Sequence, residues 1–496
     1  MVINRFRTVR LIALPLVAGF ALWGLVAPAA MTAVSFAVTG AVLGSLGWLI
    51  LLGSTAALVL ICWLGLGPHR TVRLGKPGEL PAFSVASWIA MLFAAGMGTG
   101  LVVWGVAEPV THLLKPPGGA AMPTAAAARQ AMVLTYLHWG FHAWAIYALC
   151  GLVIAWFSFR SGRPALVSAP LHGMLPGRFG LALEVGADSL GILAVTFGLA
   201  ATLAMGLLTL GSGLSASGLG PLPDWGLPMG LVLVGAAALL SALSGVGRGI
   251  RILSDINILL ALLLLFAVLA LGPTATLLSI LVDSVGAYLW QLPELAFRLR
   301  PLEGGAQWTQ DWTLTYLLWW LAWGPFVGVF IARISRGRTV GEFVAGVVLV
   351  PTLGSMLWFA VMGGSGMLAV MAEGPGGPLA GAVVREPTSA TILLLATLPM
   401  GEILGWLAML LLLIFVITSV DSAIFVLGMM SSGGAENPPL LARLAWGVAL
   451  LMLAAAMLSV ASVEAARAMA ILGALPYPAI LLLQTIALLR DMRARS

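Results

Sequence analysis

The chain has 496 residues, of which 61% are hydrophobic and only 8% charged, whereas a soluble domain carries about 25% charge. That excludes a soluble enzyme or binding module, because no segment between the apolar stretches is long and polar enough to fold apart in water. The net charge of +6 is scattered through short loops, which excludes a nucleic-acid surface, and Cys62 and Cys150 lie in apolar stretches that hold no disulfide framework.

A spanning helix needs about 20 apolar residues to satisfy its backbone in hydrocarbon. Twelve stretches qualify: 11–30, 41–66, 83–106, 130–157, 186–212, 228–245, 252–272, 310–332, 342–368, 400–430, 441–460 and 467–489. The expected fold class is therefore an all-α polytopic membrane protein. The first stretch follows Arg5, Arg7 and Arg10 and ends in Ala27-Pro28-Ala29-Ala30, a pattern that a signal peptide shares. It reads better as a spanning helix. With the N-terminus in the cytoplasm, eighteen Lys and Arg fall on the cytoplasmic side and six outside, the asymmetry of the positive-inside rule; deleting the first helix would invert it. Both termini are then cytoplasmic, in a bacterial inner membrane.

In the third span, Ala94-Ala95-Gly96-Met97-Gly98-Thr99-Gly100 sets three glycines at alternate positions, where each costs about 1 kcal/mol relative to alanine. Close helix packing explains glycines in a membrane; alternate spacing also suits an unwound stretch with free carbonyls. Both remain open. Glu108-Pro109 follows at the outer end, where helix termination and loop anchoring account for it.

The fourth span holds His138-Trp139-Gly140-Phe141-His142-Ala143-Trp144-Ala145-Ile146-Tyr147. On a continuous helix Tyr147 lies about 80° from Trp139 and Trp144 about 60° beyond it, so the three rings share one broad face. His138 and His142 have the spacing of a metal pair, but no carboxylate accompanies them within the span and the other histidines, His69, His112 and His172, lie in or next to loops. They read as structural, which argues against a membrane metalloenzyme. Segment 274–300 mixes Asp283, Glu294, Arg298 and Arg300 with leucines, as suits a helix lying in the interface.

The eighth span carries Trp319, Trp320 and Trp323 within an arc of about 100°, and Gly324-Pro325 is expected to interrupt it. The interrupted third and eighth spans each open a five-helix set, 83–272 and 310–489, as inverted repeats do. Tryptophan is ordinarily an interfacial belt residue, yet a belt does not call for two such clusters. Recognition of a quaternary ammonium does, since that cation has no N–H to donate and is attracted by aromatic faces at about 2 kcal/mol or more per ring when desolvated. Arg333-Ile334-Ser335-Arg336-Gly337-Arg338-Thr339 reads as a positive-inside anchor. In the tenth span, Thr418-Ser419-Val420-Asp421-Ser422 offers adjacent hydroxyls suited to a hard cation; Asp421 is either functional or a structural acceptor.

Together these segments resemble the betaine/choline/carnitine transporter family, through GMGTGLVVWGVAEPVTHL at 96–113, HWGFHAWAIYALCGLVIAWFSFR at 138–160, GVGRGIRILSDIN at 245–257, WWLAWGPFVGVFIARISRGRT at 319–339 and TSVDSA at 418–423. The resemblance implies twelve transmembrane helices, with a leucine-transporter-like core of two inverted five-helix repeats, alternating access and a homotrimer. It divides the chain into two N-terminal helices (1–82), a first repeat (83–273), an interfacial helix and loop (274–309), a second repeat (310–489) and a short basic tail (490–496). The family's aromatic box falls on Trp139, Trp144, Tyr147 and Trp320, with Trp319, Trp323, Gly98 and Gly100 beside it. A sodium site would use the carbonyls of Ala94, Met97 and Phe415 and the hydroxyls of Thr418 and Ser419. Gly100 stands where choline-type members resemble one another in carrying aspartate, which favours a zwitterion. Val195 and Leu199 stand where a second sodium site has hydroxyls, so one sodium is expected, with Thr196 and Thr202 off register. The implied function is Na⁺-coupled import of an onium solute such as glycine betaine, with no organic cofactor and no enzymatic activity. The alternative is a proton-coupled or exchange transporter for choline- or carnitine-like compounds, with Asp421 or Glu108 as proton candidates.

Overall fold

In a computed structural model, which describes residues 2–96, 98–119, 123–243 and 249–495, the regular elements of the described residues are helices joined by short loops. The helices are α1 (Val2–Val26), α2 (Pro28–Leu66), α3 (Val85–Gly96), α4 (Thr99–Leu114), α5 (Ala125–Trp139), α6 (Phe141–Ala155), α7 (Gly177–Leu214), α8 (Gly226–Leu243), α9 (Gly249–Leu271) and α10 (Thr274–Leu295). After them come α11 (Ala306–Thr309), α12 (Thr315–Ile334), α13 (Val340–Glu373), α14 (Pro378–Arg385), α15 (Ala390–Ala396), α16 (Gly401–Met430), α17 (Leu440–Leu458), α18 (Val463–Ala474) and α19 (Tyr477–Arg495). Among the described residues, nine helices are long and apolar enough to cross a membrane, or ten if the bent pair α18 and α19 forms one span. Helix α10 is one of the nine, so length and composition do not by themselves assign 274–300 to the interface.

The outer helices show why an apolar sequence settles this way. In α1, Val9, Ala13, Val17 and Ala21 are fully buried at four-residue spacing while Leu11, Ile12, Leu16 and Leu22 are exposed. One stripe packs on α17 and α7, and the other faces lipid, where it gains nothing by burial. Below that stripe, Arg5 pairs with Glu184 and, at 2.8 Å, with Asp188, both buried on α7.

The third span breaks where the alternate glycines lie. Helix α3 ends at Gly96, α4 begins at Thr99, and Gly98 between them is extended (φ −142°, ψ −177°). The fourth span, expected to be continuous, breaks as well: α5 ends at Trp139 and α6 begins at Phe141, with Gly140 at φ −99°, ψ −134°. Only glycine fits there, since a Cβ would stand 2.4 Å from the Tyr136 carbonyl oxygen. The Phe141 amide freed by the break donates to the Tyr288 hydroxyl at 3.3 Å.

Gly324-Pro325 does not interrupt the eighth span. Helix α12 runs through Pro325, and the irregularity lies earlier, in a π-helical turn at Gln310–Leu314. The glycine serves packing instead: a Cβ at Gly324 would meet the Cys150 sulfur at 2.9 Å and one at Gly328 the Cys150 Cβ at 2.9 Å, so α6 and α12 approach closely along this face.

The basic run after α12 does more than anchor. Arg338 is buried, lies 4.7 Å over the Trp88 ring and donates to the Phe83 carbonyl at 2.8 Å. Thr339 caps α13 in a capping box with Glu342, and Arg73 pairs with Thr339 in an antiparallel bridge.

Candidate functional site

Three helices bring the predicted rings together. Trp139 ends α5, Trp144 and Tyr147 lie on α6, and Trp319 and Trp320 on α12. The Trp320 ring meets Trp139 at 5.1 Å with planes at 82° and Tyr147 at 5.5 Å and 90°. Trp144 meets Tyr147 at 5.4 Å and 76°, and Trp319 lies nearly parallel to Trp320 at 6.3 Å. Edge-to-face contacts set a positive C–H edge on a negative π face; the N-methyl groups of an onium present the same charge to the same faces. Trp323 stands apart from this chain of rings, paired with Phe326 at 5.8 Å and lying against Gly198.

Gly100 belongs to the same surface: a Cβ there would come within 2.8 Å of the Trp139 ring. Its neighbour Gly98 faces open space, and the Thr99 hydroxyl is buried without a partner among the described residues.

Behind these rings lies a polar centre whose assembly the sequence did not reveal. Glu108, expected to terminate a helix and anchor a loop or, in the alternative reading, to carry a proton, is fully buried. Its Oε2 accepts from the Trp139 indole N–H at 2.7 Å and from the Tyr316 hydroxyl. Its Oε1 accepts from His138 Nδ1 at 2.7 Å and His112 Nε2 at 3.3 Å. His112, expected near a loop, is also fully buried. The other nitrogen of His138 pairs with the Thr313 hydroxyl at 3.0 Å, and its backbone carbonyl accepts from Trp320 Nε1 at 2.7 Å. His142 turns the other way, to Thr55 at 3.3 Å. The guanidinium of Arg467, 5.3 to 5.6 Å from the Trp104, Trp312 and Tyr316 rings, closes the cluster on its far side.

Glu108, His112 and His138 are close enough to hold an ion. Yet both imidazole nitrogens aim at one carboxylate oxygen at hydrogen-bond distance, so that oxygen stands where a shared ion would. Spacing in sequence hid the cluster, since Glu108 and His138 are on different helices. The legible signal was Trp104, Glu108 and His112 at four-residue spacing on one helix face.

The candidate cation ligands are gathered only in part. Thr418 Oγ1 donates within α16, to the carbonyls of Ile414 at 2.8 Å and Phe415 at 3.1 Å. The Asn257 amide approaches Thr418 at 3.5 Å, and Ser419 beside it is half-buried. Met97 lies outside the described residues, and of Ala94 only the helical backbone is described. A Cβ at Gly206 of α7 would touch both Val416 of α16 and Thr99 of α4, so the break in the third span adjoins α16. Asp421 accepts from Ser241 at 2.6 Å. On α7, Val195 and Leu199 are buried, while Thr196 and Thr202 donate to the carbonyls of Ile192 and Gly198.

The model of the betaine/carnitine/choline family transporters matches residues 8–496. The chain belongs to this family. Within it, the glycine betaine transporter OpuD of Bacillus subtilis is 36% identical over 97% of this chain and 93% of its own length. The uncharacterized transporter Rv0917 of Mycobacterium tuberculosis is 40% identical over 90% of this chain and 76% of its own. An ectoine/hydroxyectoine transporter of Virgibacillus pantothenticus is 35% identical over 88% and 86%. Among solved structures, MhsT in complex with L-phenylalanine matches with a TM-score of 0.49 and 16% identity, over 80% of this chain and 88% of that one. Membership of this family makes the chain a multi-pass membrane transporter rather than an enzyme. In a betaine/carnitine/choline family transporter, a ring cluster at the junction of α5, α6 and α12 is a candidate cargo site.

Proposed function

We propose that this transporter imports a quaternary-ammonium or related onium compatible solute such as glycine betaine by alternating access, coupled to Na⁺. The observation that carries the proposal is the right-angled set of Trp139, Tyr147 and Trp320. It offers π faces to a cation that cannot be met by hydrogen bonds, and desolvated faces contribute about 2 kcal/mol or more each. The named cargoes of the relatives, glycine betaine and ectoine, belong to the same class of compatible solute.

Gly100 supports a zwitterion over choline. With Trp139 only 2.8 Å from the position of a Cβ, an aspartate could not enter without displacing the ring. For the coupling ion, the Thr418 and Ser419 hydroxyls and the Phe415 carbonyl are hard oxygen donors of the kind Na⁺ takes, and the Ala94 and Met97 carbonyls would complete the set. The apolar Val195 and Leu199 argue for one ion. The same proposal includes a two-repeat core, a bacterial inner-membrane location with both termini cytoplasmic, and a homotrimer.

Proteoliposomes loaded in K⁺ and diluted into Na⁺ should accumulate labelled betaine, and dilution into K⁺ should abolish accumulation. Equal uptake in both salts removes the sodium coupling, and no binding of any onium solute in either removes the cargo assignment. A second reading, proton coupling, is favoured by the buried Glu108 beside two imidazoles. Uptake driven by a pH step in Na⁺-free medium would select it.

A further inference from the structure

A carboxylate removed from water is costly unless its lone pairs are met. Glu108 meets all of its own with donors from three helices: His112 on its own α4, His138 and Trp139 on α5, and Tyr316 on α12. An ionised carboxylate has room for four donors, and each of the four partners has one N–H or O–H to give. Of that shell, only the second nitrogen of His112 is buried without a partner among the described residues.

The destinations of these bonds matter more than their number. One ends on the indole of Trp139, a wall of the cage. Another ends on Tyr316, whose ring lies 5.7 Å from Trp139 and 6.5 Å from Trp320. A third fixes His138, and the carbonyl of that residue receives the Trp320 N–H at 2.7 Å. One cage wall is thus bonded directly to Glu108, and the other to the backbone of a residue whose side chain Glu108 also holds. The opposite edge of Trp139 rests against Gly100, so the indole is held at its nitrogen and confined at its far edge.

We propose that Glu108 is the positioning residue of the onium site: it sets the right angle between Trp139 and Trp320 without touching the solute. This rests on the onium reading of the cage. Bonds to a charged acceptor are worth about 1.5–3 kcal/mol each. Loss of one at the cage wall corresponds to roughly 10- to 150-fold in affinity if the ring is released.

The test is a cycle in the purified full-length protein, with betaine binding read by tryptophan fluorescence. Glu108→Gln should raise the Kd for betaine at least about tenfold. In a Trp139→Phe background, which keeps a ring and lacks the N–H, the same substitution should change Kd by less than about threefold, the signature of action through that N–H. Equal factors in both backgrounds overturn the proposal.

A second measurement needs no solute. The near-UV circular dichroism assigned to Trp139, as the difference between wild type and Trp139→Phe, should collapse in Glu108→Gln, and its persistence overturns the proposal. Should Glu108→Gln fail to fold, Tyr316→Phe removes one donor and keeps the ring. It should raise Kd by roughly two- to fivefold, and an unchanged Kd counts against the proposal. Wild type that binds no onium solute refutes the cage reading, while wild type that binds and Glu108→Gln that binds equally refutes only the role of Glu108.

Discussion

Replacing Gly100 by alanine adds a single methyl, and the structure says where it goes. Its Cβ would lie 2.8 Å from one carbon of the Trp139 ring and 3.4 Å from the next, where carbon atoms prefer about 3.5–4.0 Å. The ring must therefore yield by roughly 0.7–1 Å at its far edge. Its near edge is tied to Glu108 at 2.7 Å, so the motion available is a pivot about that bond. A pivot tilts Trp139 out of its right angle with Trp320 and weakens the faces that both rings present. If half of each ring's contribution of about 2 kcal/mol is lost, affinity falls by roughly 2 kcal/mol, or about 30-fold. If the ring stays and the helix yields instead, the cost of overpacking, about 1–3 kcal/mol, appears as lost stability. Betaine titration and thermal melting of Gly100→Ala in detergent distinguish the two. A variant with wild-type affinity and wild-type melting would refute the packing described here, and Gly100→Asp should be more severe on both measures.

Trp320→Leu removes the ring shared by both perpendicular contacts, and should weaken betaine by roughly 30-fold or more in competition assays while leaving melting within a few degrees. Arg5→Ala leaves Glu184 and Asp188 buried without their guanidinium, at a cost of about 3 kcal/mol in chemical denaturation; adding Asp188→Asn should restore part of it. Gly328→Ala sets a Cβ 2.9 Å from that of Cys150 and should destabilise by about 1–3 kcal/mol. Gly44→Ala, with open space around it on α2, should be neutral or stabilising by about 0.5–1 kcal/mol, and a comparable loss at both positions would undercut the assigned contact.

What the sequence disclosed follows from how local each signal is. Alternate glycines at 96, 98 and 100 offered a break as one of two readings, because the cost of glycine in a helix falls where it stands. Gly140 breaks its helix with no such pattern, since what demands glycine there is the Tyr136 carbonyl and the Tyr288 ring, and the latter comes from a distant segment. Gly324-Pro325 suggested a break by composition alone, yet the pressure on Gly324 comes from Cys150 across the α6–α12 contact. The aromatic clusters were legible as clusters. Their junction was not, because the angular estimate from Trp139 to Tyr147 assumed one helix where there are two. Trp320 restores the connection from outside. Glu108 was misread for a related reason: a carboxylate beside proline near an expected loop looks solvated until the helices that surround it are in place.

The glycine contact between α6 and α12 divides the aromatic cluster in a way that experiments can exploit. Trp144, Tyr147 and Trp320 ride on one closely packed pair of helices, and they keep their mutual geometry for as long as that pair stays together. Trp139 lies across the Gly140 break and is tied to α4. Substitutions among the first three rings therefore report on a fixed surface. Substitutions at Trp139, Gly100 or Gly140 report instead on how that surface is set against its neighbour across the break.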